Sequence, residues 1–75
     1  MNQHTVLFFG PLREQFGAVQ VEVEMPKDST VLDLCEQLKI DPATIKVAVD
    51  GEIVSISANL NKDSEIALLP PVSGG

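Results

Sequence analysis

The sequence predicts an α+β fold: a mixed β-sheet with one main helix laid across one face. Three observations point to it. Five short stretches rich in β-branched, aliphatic or aromatic residues are set apart by glycine, proline and aspartate. Only residues 31–38 repeat their apolar positions over a long run with helical spacing. The last apolar stretch runs straight into Pro70 and Pro71, which have no N–H to donate to a sheet ladder. With 75 residues the chain makes one small domain, because chains of this size bury only about 60% of the surface they expose when unfolded. We read residues 1–69 as that domain and residues 70–75 as an extended tail.

Residues 4–10 form the first strand, closed by Gly10-Pro11, with Val6 and Phe8 on one face and Leu7 and Phe9 on the other. Pro11 opens one or two helical turns through Phe16, which Gly17 stops. Residues 19–25 alternate: Val19, Val21, Val23 and Met25 face inward while Gln20, Glu22 and Glu24 face water. The main helix starts at Thr30 as N-cap. Asp33, three residues on, is at the distance where the two side chains satisfy each other's backbone donors. Val31, Leu34, Cys35 and Leu38 fall on one stripe. Asp41-Pro42 ends this helix and starts a short turn through Ile45. Residues 46–50 and 52–54 are strands joined at Asp50-Gly51, a composition suited to a tight hairpin. Residues 59–64 are loop, and residues 65–69 are the last strand.

That order is the β-grasp arrangement, in which the first and last strands lie side by side and parallel in the middle of the sheet. One helix covers one face only. Phe9 and Leu69 are out of phase with Phe8 and Leu68, and Ile53 follows the hairpin turn, so two placements are open. These three form an exposed patch near the exit of the tail, or Phe9 or Leu69 completes a second small core under residues 11–16.

The charge of −6 argues against nucleic acid as a partner, since phosphates would repel it, and favours a partner with a basic surface. The longest apolar run near the N-terminus, residues 6–9, is too short for a membrane span or a signal sequence, which points to a soluble, cytoplasmic chain. A lone Cys35 fits a reducing compartment, and on the helix stripe it reads as a small core residue. His4 has no evident orienting partner at the start of an edge or terminal region and reads as structural or incidental. Glu22 with Glu24 reads as a solvated strand face. No metal-ligand spacing and no glycine-rich phosphate loop occur.

The group with covalent prospects is the carboxylate of Gly75. Pro70, Pro71, Val72 and Ser73 make a stiff, slender lead-in of the kind that leaves a domain, and Gly74 and Gly75 add no Cβ to obstruct a narrow channel. From Pro70 to Gly75 the reach is roughly 20 Å at ~3.3 Å per extended residue, enough to enter another protein's active site.

Leu7-Phe8-Phe9-Gly10-Pro11-Leu12-Arg13-Glu14-Gln15-Phe16-Gly17, together with Glu65-Ile66-Ala67-Leu68-Leu69-Pro70-Pro71-Val72-Ser73-Gly74-Gly75, resembles the small subunits of molybdopterin synthase, a family of ubiquitin-like sulfur carriers. The similarity spans the chain. It departs at Asp63-Ser64-Glu65, where the family often has Asp-Gly-Asp-Glu, and in a short segment over residues 38–46. The resemblance implies that a ubiquitin-activating-type enzyme uses ATP to adenylate Gly75, and that a sulfur donor protein then converts it to a thiocarboxylate. It further implies that this group supplies sulfur to a cyclic pyranopterin precursor inside the large subunit, in an assembly of two small and two large subunits. No permanently bound cofactor is implied, and the catalytic side chains belong to the large subunit. Phe9, Arg13, Ile53 and Leu69 are the expected docking residues. Two other readings share the fold: a carrier for thiamine synthesis or protein conjugation, and a non-covalent binding module with an inert tail.

Overall fold

Strands form here where side chains alternate, and they stop at residues that turn the backbone away. In the computed structural model, residues 1–70 are described. Of the residues assigned above, Pro71, Val72, Ser73, Gly74 and Gly75 lie outside that range. The elements are β1 (Asn2–Phe8), α1 (Pro11–Phe16), β2 (Gln20–Met25), α2 (Val31–Leu38), a 3-10 turn (Pro42–Thr44), β3 (Lys46–Val49), β4 (Glu52–Val54) and β5 (Ser64–Leu69).

The strands make one sheet in the order β2-β1-β5-β3-β4. β1 and β5 pair in parallel, and the other neighbours are antiparallel. This is the predicted β-grasp arrangement, with the first and last strands adjacent. β1 begins two residues before the expected start because its ladder with β2 extends to Asn2↔Met25. It ends at Phe8 because Gly10 swings the chain out at φ 60°, ψ −139°.

Thr30 and Asp33 form the expected reciprocal cap. The Asp33 N–H donates to Thr30 Oγ1 at 3.2 Å, and the Thr30 N–H donates to Asp33 Oδ2 at 2.9 Å. The next two helix donors are also taken, Val31 by the Ala58 carbonyl at 3.0 Å and Leu32 by that of Ile56 at 2.9 Å. The helix closes at Lys39, a left-handed residue at φ 59°, ψ 42°, before the expected Asp41-Pro42 break. Asp41 instead caps the 3-10 turn through Ala43 N–H at 2.9 Å. Asp50 and Gly51 both take positive φ, 50° and 89°, between the paired residues Val49 and Glu52. That is the two-residue hairpin geometry that matches the twist of its strands.

The core lies between α2 and the inner sheet face and gathers Val6, Phe8, Val23, Met25, Val31, Leu34, Cys35, Val47, Ile66 and Leu68. Leu38 packs against it, half-buried. Burial pushes the Cys35 thiol up from its ordinary pKa, since a thiolate there would lose its hydration. Two expectations are corrected. Val19 is 57% exposed: its carbonyl accepts from the Phe8 N–H at 2.8 Å, but its side chain lies at the end of an edge strand, outside the packed core. His4 is fully buried on a central strand instead of lying at an edge, with Nδ1 2.9 Å from Ser64 Oγ. Among the described residues no helix is long and apolar enough to cross a membrane.

Candidate functional site: the tail exit and the uncovered sheet face

Because β1 and β5 run parallel, their C-terminal ends emerge at the same edge of the domain. β5 delivers Pro70 there, and the turn after β1 closes over it. The Phe9 N–H donates to the Leu68 carbonyl at 3.2 Å, which carries the β1–β5 ladder one step past the strand. At Gly10 the backbones approach closely: a Cβ on this residue would lie 3.2 Å from Pro70 Cγ. The positive φ and the missing side chain are therefore both in use.

α1 is held to this turn by its own first residues. Arg13 N–H donates to the Gly10 carbonyl at 3.1 Å, and Arg13 Nε donates to the Phe8 carbonyl at 2.9 Å. The guanidinium also lies over the Phe9 ring, 5.3 Å from its centre, a cation–π distance. Arg13 thus ties the end of β1 to α1 while its side chain stays accessible.

The two placements left open for Phe9 and Leu69 resolve by register. The ring under α1 is Phe8, which stacks on Phe16 with centres 4.4 Å apart and planes 5° from parallel. Leu69 pairs with Lys46 on the outer face, and Phe9 and Leu69 are both half-buried. They line the exit from outside and do not form a second core. Ile53 is 63% exposed on the same face and continues a row through Ala48, Ala67 and Leu7. It is separated from β1 by β5 and β3, so it stands roughly 14 Å across the sheet at ~4.8 Å per strand. The structure brings Phe9, Arg13, Leu69 and Pro70 together and sets Ile53 at the far side of one apolar surface.

Further from the exit the outer face changes character. Thr5, Glu22, Glu24 and Glu65 replace the apolar row, and Thr5 Oγ1 donates to Glu22 Oε2 at 2.7 Å. The face is therefore apolar toward the tail and acidic away from it. Sequence reasoning set Leu7 on the face of Phe9 but did not join it to Ala48 and Ala67 in an apolar row, and it missed Gly10 as the wall beside Pro70. The Gly10-Pro11 pair was visible as a strand stop, but its contact with Pro70 depends on a pairing between the two ends of the chain. Among the described residues no group of three or more His, Cys, Asp or Glu side chains is placed to hold a metal ion.

Comparison with known proteins agrees with this geometry. Residues 6–75 match the ThiS family. The molybdopterin synthase sulfur carrier subunit of Dictyostelium discoideum is 37% identical, over 99% of this chain and 98% of that protein. Among solved structures, the putative molybdopterin converting factor subunit 1 of Pyrococcus furiosus superposes with a TM-score of 0.84 at 25% identity, covering 96% of this chain and 100% of the other. The small archaeal modifier protein 1 of Haloferax volcanii gives 0.82 at 25% identity, with 96% and 100% coverage.

Proposed function

The chain belongs to the ThiS family, and from that premise we propose that it is the sulfur carrier subunit of molybdopterin synthase, with Gly75 as the residue that bears the sulfur. The observation that carries this reading is the near full-length identity of 37% to a relative of that name. A carboxylate is a poor electrophile, so it must first be activated. The Gly75 carboxylate attacks the α-phosphorus of ATP on a ubiquitin-activating-type enzyme, releasing pyrophosphate and forming an acyl adenylate. Sulfur delivered at the sulfide level by a donor protein then displaces AMP, so that a carbon–sulfur bond replaces one carbon–oxygen bond and the thiocarboxylate is left free of the donor. The thiocarboxylate enters the large subunit and gives its sulfur to the cyclic pyranopterin precursor, in an assembly of two small and two large subunits. ATP belongs to the activating enzyme. The cytoplasm, reducing and rich in ATP, suits a carrier with one free thiol.

The chain's own contribution is placement. Pro70, Pro71, Val72 and Ser73 space the reactive end from the body, and Gly74 gives clearance inside an enzyme channel. Phe9, Arg13 and Leu69 present contacts around the exit, and Ile53 extends them across the sheet. Support for docking on this face comes from its apolar row on the side away from α2, in which Ile53 is exposed, Leu7 and Ala67 are half-buried and Ala48 is buried.

The test is reconstitution. Incubation with ATP, the activating enzyme and a sulfur source should replace one oxygen of the intact chain by sulfur in its mass spectrum. Addition of the large subunit and the pyranopterin precursor should then yield molybdopterin. Deleting Gly75, or adding one residue after it, should abolish both while leaving the folded domain unchanged. Molybdopterin formation by either altered chain would overturn the assignment. The likeness to an archaeal modifier protein favours one second reading, conjugation to a protein amine. It would appear in the same incubation as a covalent adduct of the whole chain.

A further inference from the structure

The tail exit has a second side. Leu68 is buried on the inner face and Leu69 lies on the outer one, so Pro70 returns to the inner side. There it meets a cleft of about 200 Å³ between α1 and the 3-10 turn, lined by Pro11, Leu12, Gln15, Thr44, Ile45 and Pro70. This cleft is separate from the apolar row of the outer face, and the docking residues named above do not line it.

We propose that the cleft is a second docking point for the large subunit, and that it receives one aliphatic side chain from that partner. The inference rests on the carrier-subunit reading and adds to it. Three features select such an occupant. The cleft adjoins the exit directly, since Pro70 is part of its wall, so a protein that encloses the tail from Pro70 onward must pass its mouth. Its chemistry is neutral: the chain has 5 Lys and Arg and 11 Asp and Glu residues, and none of them lines it. Its size suits one branched side chain, because apolar cavities of about 150 Å³ already accept a benzene ring. With Phe9 and Leu69 outside and this cleft inside, the large subunit straddles the end of the sheet. Contacts on both sides would fix the direction in which the tail enters, which a grip on one side leaves free to rotate.

The experiment uses the full chain and the large subunit. Gln15→Arg places a charge at the exposed rim on a helical position that tolerates it, and Ile45→Ala removes a wall. Each should weaken the complex by at least about tenfold in calorimetric titration, the scale of an anchor contact. The Leu12 and Ile45 methyl signals of the wild-type chain should shift when the large subunit is added. Because Ile45→Ala also loosens packing, the rim variant and the methyl shifts carry the decision if it unfolds. A wild-type complex with Gln15→Arg within about twofold of it, and unmoved methyl signals, overturns the cleft and leaves the carrier reading standing. Absence of any wild-type complex overturns both. Nuclear Overhauser contacts from residues 71–75 to the Leu12 or Ile45 methyls in the free chain would show that the chain's own tail occupies the cleft, which also overturns the proposal.

Discussion

Gly10→Ala tests the geometry of the exit directly. The residue sits at φ 60°, ψ −139°, close to a region reached almost only by glycine, and forcing alanine into such a conformation costs about 1–3 kcal/mol. The new methyl also meets Pro70, with Cγ at 3.2 Å and Cβ and Cδ both at 3.7 Å. The proline ring cannot rotate away, so either the Gly10 turn or Pro70 must shift by a few tenths of an ångström. In a domain of this size each kcal/mol moves Tm by roughly 4–8 °C, so the expected fall is roughly 5–20 °C by circular dichroism. Gly17→Ala is the control. That residue is also left-handed, at φ 67°, ψ 24°, but a Cβ there meets nothing within 4 Å, so only the backbone cost of about 1 kcal/mol remains. Pro70→Ala removes Cγ and should recover part of the loss when combined with Gly10→Ala, by a coupling of at least about 0.5 kcal/mol. Equal destabilisation by the two glycine variants, with no coupling to Pro70, would refute the claim that Gly10 is glycine because of the tail.

Thr30→Ala should cost about 1 kcal/mol in denaturant titration, and Asp33→Ala should add a further loss, because the backbone N–H of residue 30 still donates to the Asp33 carboxylate in the first variant. Cys35 predicts a pH effect: its thiol is raised in the folded state, so its contribution is intact below the unfolded value of about 8.5 and is lost as pH rises from there toward the folded value. The stability difference between wild type and Cys35→Ala should be flat from neutral pH to about 8 and shrink above it, and a difference that widens there would contradict the burial argument. Ile53→Ala should leave folding stability within about 0.5 kcal/mol, since the side chain is mostly exposed, while weakening large-subunit binding in calorimetry. Phe9→Ala should lower stability by less than the ~3–5 kcal/mol of a core phenylalanine, and a loss of that full size would place Phe9 in the core.

The features legible in the sequence are those decided by neighbours along the chain. The stripe of Val31, Leu34, Cys35 and Leu38 and the Thr30–Asp33 cap involve spacings of a few residues, so α2 could be placed closely from pattern alone. The same holds for the alternation of β2 and the positive-φ turn at Asp50 and Gly51. Val19 shows the limit of that reasoning. It has the correct phase for burial, but phase assigns a face and does not say whether packing extends to the end of an edge strand. His4 shows the same limit from the other direction, since its burial follows from β1 being central, and that depends on pairing with β5.

The candidate site is mostly of this second kind, because it is made where the two ends of the chain meet. Gln3 N–H donates to Asp63 Oδ1 at 2.8 Å, Asn2 Nδ2 to the Leu60 carbonyl at 3.1 Å, and His4 Nδ1 lies 2.9 Å from Ser64 Oγ. Three successive residues of β1 thus clip the segment that feeds β5, and the parallel ladder carries the same register up to Phe8↔Leu68. A one-residue slip would exchange Leu68 with Leu69 between core and surface, so burial of Leu68 holds the register from the other end. Once the register is fixed at both ends, Pro70 has one place to emerge, beside Gly10. The position of Pro70 is therefore set by contacts that span nearly the whole sequence. On the carrier reading proposed above, the fold's contribution to the chemistry is to fix where the last strand ends.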